Sequence, residues 1–111
     1  NRAVYVSGKR YLLSHAAPVE DYPLYSYRYE SAREFAVWKR YRIGEYRSDN
    51  HTLIFGHTPT SYYQNVMPME IWRGQNCIGI DCGCAYPYGR LACLRLEDGK
   101  VFCSEDVYEQ I

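Results

Sequence analysis

The chain has 111 residues, with thirteen basic and thirteen acidic side chains that cancel. That length suits one domain around a single core. The charge balance provides no global field for DNA, RNA or an anionic lipid surface, so a nucleic-acid partner is not expected. The apolar runs are far too short to span a bilayer. No signal-peptide pattern opens the chain. The start at Asn1, without methionine and directly in a strand-like run, reads as the beginning of a fragment or trimmed chain.

Ala3-Val4-Tyr5-Val6 and Tyr11-Leu12-Leu13, joined by Ser7-Gly8-Lys9, predict a hairpin with a Gly-containing loop. The second strand runs into Ser14-His15-Ala16-Ala17-Pro18. Val19 to Glu30 is polar and rich in tyrosine, with Tyr22, Tyr25, Tyr27 and Tyr29 around Pro23. Interleaved carboxylates argue against a base-stacking platform there and for an ordered aromatic surface loop. Ser31-Ala32-Arg33-Glu34 is a capping box, so a helix should begin at Ser31. Phe35, Trp38 and Arg42 share one face, and Ile43-Gly44 should end the helix after about three turns. Lys39, Arg40, Arg42 and Arg47 make this the one locally basic segment. It is either a solvated helix face or an anion clamp, since arginine offers a planar fork to phosphate.

Glu45 to His51 is a polar connection. Leu53-Ile54-Phe55-Gly56-His57-Thr58-Pro59 is three apolar residues closed by Gly and Pro, the pattern of an interior strand that ends abruptly. His57 then lies at the strand's C-terminal end, where open α/β sheets carry their chemistry. Alone, it reads as a polar loop residue. His15 repeats the pattern 42 positions earlier, and the two converge if their strands are neighbours. Met69 to Trp72 and Cys77 to Asp81 are short strands around a turn, and Cys82 to Gly89 is a loop. Arg90 to Leu96 and Lys100 to Cys103 form a hairpin about Asp98-Gly99.

All five cysteines (77, 82, 84, 93 and 103) fall in the last third. An odd number on strand-like segments fits free thiols in a cytoplasmic protein. Structural zinc is the sharper alternative, carried by the C-x-C pair Cys82 and Cys84. It lacks a C-x-x-C pair and a histidine at zinc-finger spacing.

Four pieces occur in order: L-L-S-H-A, W-K-R-Y-R-I, I-F-G-H-T-P and I-G-I-D-C-G-C-A-Y. From about Val4 to Cys103 the chain resembles the C-terminal half of the calcineurin-like metallophosphoesterases. The match is closest to the bacterial and phage serine/threonine protein phosphatases, with the symmetrical diadenosine tetraphosphate hydrolases nearby. The resemblance implies a mixed α/β chain, strand-rich with one main helix, forming half of a four-layer α/β/β/α sandwich. It also implies a site for two divalent metal ions (Mn, Fe or Zn) and a phosphoprotein or small phosphoester as substrate. His15 and His57 match ligands of the second metal. Arg40 matches the phosphate-binding arginine of W-x-R, and Arg42 a second arginine of that motif. Asp81 matches the I-D-x-G aspartate, a structural hydrogen-bonding residue, and Tyr86 an aromatic at the pocket rim.

Ala17 replaces the glycine usual after H-A, Cys82 stands where threonine is common, and Tyr-Pro-Tyr lengthens the following turn. The motifs Gly-Asp-x-His, Gly-Asp-x-x-Asp-Arg-Gly and Gly-Asn-His-Glu do not occur. They carry the first metal's ligands, the bridging aspartate and the general-acid histidine. The expectation is therefore the C-terminal portion of a phosphoesterase, one domain fragment over residues 1–111, inactive alone. It should pair with the missing half or with itself through exposed apolar faces and strand edges. A non-catalytic interaction domain that keeps the half-fold, and a dinucleoside polyphosphate hydrolase, are the alternatives.

Overall fold

The computed structural model describes residues 1–104. Strand β1 (Arg2–Val6) turns back on β2 (Lys9–Ser14) through Ser7 and Gly8. Both turn residues have positive φ, 51° and 78°, the backbone whose twist matches a two-residue hairpin. The chain then passes through a 3-10 segment, Val19–Leu24, and a helix, α1 (Ala32–Trp38). It returns as β3 (Thr52–Phe55), parallel to β2. Two short strands follow, β4 (Trp72–Arg73) and β5 (Cys77–Gly79). β5 pairs parallel with β3, and β4 closes the edge antiparallel to β5. The sheet order is β1-β2-β3-β5-β4. Strands β6 (Ala92–Leu94) and β7 (Val101–Cys103) form a separate hairpin around the Asp98-Gly99 turn. The result is a mixed α/β, strand-rich domain with one main helix. Among the described residues no helix is long and apolar enough to cross a membrane.

Register decides which residues share a face. Leu12, Leu53 and Cys77 are aligned across β2, β3 and β5. Phe55 and Trp72 stand on the same face, one pair further along on either side of Gly79. Phe35 of α1 packs over this face together with Tyr41, Tyr46 and Tyr63, and this group forms the core. Leu53 and Phe35 are fully buried. Gly79 makes room for two of the rings, since a Cβ there would lie 3.3 Å from Phe55 and 3.7 Å from Trp72. The Trp72 ring in turn stacks on Tyr63 at 4.1 Å between centroids.

Two expectations are corrected. The Ser31 cap forms: its Oγ accepts the Glu34 N–H at 3.1 Å, while Glu34 Oε2 accepts the N–H of Glu30, one residue before the cap, at 2.8 Å. The helix nevertheless ends at Trp38, well before Ile43-Gly44. From Lys39 the chain is extended (ψ 134°) and burial alternates, with Lys39 and Tyr41 in, Arg40 and Arg42 out. The Lys39 ammonium fixes this change, lying 2.6 Å from Glu45 and over the Tyr25 ring at 4.3 Å. A helix would carry those groups around its axis instead. The tyrosine-rich segment is ordered, as expected, but it packs onto the core and is not a surface loop. Tyr22, Tyr25 and Tyr29 pack around Phe35, with centroids 6.0, 5.1 and 5.4 Å away, and Tyr27 alone of the four is strongly exposed.

Candidate functional site

The parallel pairing of β2 and β3 sets Ser14 opposite Phe55. The chains leaving both strands therefore emerge at the same sheet edge, and the Gly56 N–H donates to the His15 carbonyl at 2.9 Å. The two rings stand 5.2 Å apart between centroids. His15 is exposed and His57 half-buried. Trp38, the last residue of α1, meets the His57 ring edge-on at 5.5 Å while remaining 62% exposed itself.

His57 carries two local costs. Its φ is 66°, the left-handed region that side chains with a Cβ avoid, and the Thr58 N–H closes a tight turn onto the Gly56 carbonyl at 2.6 Å. Its Nε2 is buried with no hydrogen-bond partner among the described residues. Burial lowers the His57 pKa, the nearby Arg40 and His15 charges lower it further, and the Trp38 backbone and Asp81 oppose them. The ring is thus held neutral near pH 7, the form that binds metals.

Arg40 is exposed above the Tyr62 ring, 6.0 Å from its centroid. Asp81 follows β5, pairing partner of β3 on its other side. Its Oδ1 accepts the Gly83 N–H at 3.0 Å and its carbonyl accepts the Thr60 N–H at 2.8 Å, tying the loop after His57 to the loop after β5. Tyr86 is exposed on that second loop, its N–H donating to Gly83 at 2.7 Å. Arg42 lines a depression with Arg28 and Tyr27 that contains neither histidine, and its backbone N–H donates to Glu45. All five cysteines are free, with Cys77 and Cys82 buried.

The third histidine, His51, belongs to a cluster that the sequence reading passed over as a polar connection. It stands at the start of β3, the opposite edge of the sheet from His57. Arg10, Ser48 and Asn50 contact its Nδ1 at 3.2, 2.9 and 2.7 Å, and the Tyr46 hydroxyl contacts Nε2. Burial, then the Arg10 charge, lowers its pKa. Both ring nitrogens are thereby used, so His51 ties the connection to the sheet. Ser48 and Asn50 close before it were the available sequence signal.

The His15–His57 pair offers two nitrogen donors on one edge, one of them buried and otherwise unsatisfied. That fits one side of a metal site. Among the described residues no group of three or more His, Cys, Asp or Glu side chains is placed to hold a metal ion. Fold and site together define a mixed α/β domain with paired histidines where two adjacent parallel strands end. Comparison with protein-family models, curated proteins and solved structures gives no match for this chain.

Proposed function

We propose that this chain is the C-terminal part of a metal-dependent phosphoesterase of the calcineurin-like kind, most similar to serine/threonine protein phosphatases. The observation that carries the reading is His57, held at positive φ with a buried, unpartnered Nε2 beside His15. A loop histidine with only a structural role has no reason to keep both costs, whereas strained backbone and orphaned polar atoms concentrate where a ligand completes the structure. In this reading His15 and His57 each give a neutral imidazole to one divalent ion. Arg40 takes the substrate phosphate, neutralising charge on its oxygens. Asp81 orients the two loops, and Tyr86 borders the substrate. Two bound divalent ions would supply an activated water at neutral pH. The remaining ligands, a cytoplasmic setting and a complementary half-domain belong to the same proposal.

The test is titration of the 111-residue chain with Mn²⁺, followed by NMR of its three imidazoles. Selective broadening of His15 and His57, lost in His57→Ala, is expected. Broadening centred on His51, or none at millimolar Mn²⁺, overturns the reading. Hydrolysis of p-nitrophenyl phosphate with manganese, abolished in His57→Ala, would show instead that the chain is active alone. The competing reading, a non-catalytic interaction domain, draws on the apolar row Leu13–Ile54–Ile78 that register places on the sheet's second face. Association through that row without any imidazole response to metal would favour it.

A further inference from the structure

Arg40 and Arg42 stand two residues apart in one motif, yet they serve different surroundings. Arg40 lies over Tyr62 near His57. Arg42 lines a depression of about 500 Å³ with Arg28, Lys39, Glu45, Tyr25 and Tyr27. The depression has one carboxylate, and it is fully engaged. Glu45 receives the Lys39 ammonium at 2.6 Å, the Tyr25 hydroxyl at 2.7 Å and the Arg42 N–H at 2.8 Å. Burial pushes its pKa up, but these three donors outweigh burial and hold the group ionised below its usual range. They also fix the geometry, because Tyr25 and Glu45 join the segment carrying Arg28 to the turn carrying Arg42. Lys39 is buried and neutralised. Arg28 and Arg42 form no ion pair among the described residues. Three cations against one carboxylate leave the lining at +2.

We propose that Arg28 and Arg42 form a second anion site, built to take a phosphate-monoester dianion and separate from the one served by Arg40. The charge matches: a dianion balances the lining, whereas a carboxylate ligand leaves it positive. Two planar guanidinium forks suit the tetrahedral oxygens of a phosphoryl group. Tyr27, 79% exposed beside them, offers an aromatic face to whatever bears the phosphate.

The site is tested by NMR titration of the full chain with inorganic phosphate, methyl phosphate and acetate at constant ionic strength. The amides of Arg28 and Gly44 and the Nε–H signals of both arginines are followed. Phosphate and methyl phosphate should give saturable shifts, with acetate about tenfold weaker. Arg28→Gln or Arg42→Gln should each weaken phosphate about tenfold or more, the loss expected for one charge-assisted hydrogen bond. Arg40→Gln should leave these shifts in place. Non-saturating shifts, equal response to acetate, or loss of the shifts in Arg40→Gln would each overturn the proposal.

Discussion

The two faces of the five-stranded sheet are both apolar, but they are finished differently. On one, Leu12, Leu53, Phe55 and Cys77 lie under Phe35 and a layer of tyrosines, and Leu53 is fully buried. On the other, register aligns Leu13, Ile54 and Ile78, and none of the three belongs to that core. Ile54, on the central strand, is nevertheless buried, at 6% exposure, because its neighbours flank it, while Leu13 and Ile78 are half-buried. An apolar strand position therefore reports burial in a sheet, and not which layer covers it. The aromatic residues of Val19 to Tyr46 supply the cover on one side.

The largest expected contrast is between two leucines on neighbouring strands and opposite faces of the sheet. Leu53→Ala removes a side chain enclosed by rings and should cost about 3 kcal/mol or more, whereas half-buried Leu13→Ala should cost about 1 kcal/mol, by urea denaturation. Equal losses would mean that the second face is as tightly covered as the first. Gly79→Ala comes next. The new methyl group would press on the Phe55 ring from the covered side, and a loss of about 2 kcal/mol is expected in the same assay. A neutral result would show that this side is loosely packed.

At the sheet edge the contrast is smaller and its sign reverses. His57→Gly should be more stable than His57→Ala by about 1 kcal/mol, because glycine accepts the 66° φ that alanine resists. The smallest effect is on pH dependence. His51 and His57 both have pKa values lowered from 6.5 in the folded chain, so the unfolded chain binds protons more readily. Their contribution to stability is complete above about pH 6.5 and falls as the pH drops through and below that value. Arg40→Gln should raise the His57 pKa and weaken this acid sensitivity, as read by imidazole NMR and by thermal melts at stepped pH. An unchanged pKa in that variant would remove Arg40 from the site.

Much of the local structure was legible because it is carried by short-range chemistry. The Ser31 cap, the Ser7-Gly8 and Asp98-Gly99 turns and the Leu53–Phe55 strand each depend on a few neighbouring residues. The end of the helix was not legible. It depends on Lys39 reaching Glu45 and the rings of Tyr25 and Tyr41, the latter at 5.2 Å, contacts between segments that sequence periodicity does not encode. The alternate burial of Lys39 to Arg42 is not an apolar–polar pattern in the sequence, since Lys39 and Arg40 are both basic, and helical spacing fitted the same segment. The tyrosines were likewise readable as aromatic and not as Phe35's neighbours.

What the sequence determined by itself was a histidine following each of two apolar strands, with arginines between them. Tertiary structure decided that β2 and β3 are parallel neighbours, so that both histidines leave at one edge. It also decided that Arg40 and Arg42 part company where the chain turns extended. The physical reason is that strand order and the burial of Lys39 are settled by packing between distant segments, and residue spacing along the chain carries no term for either.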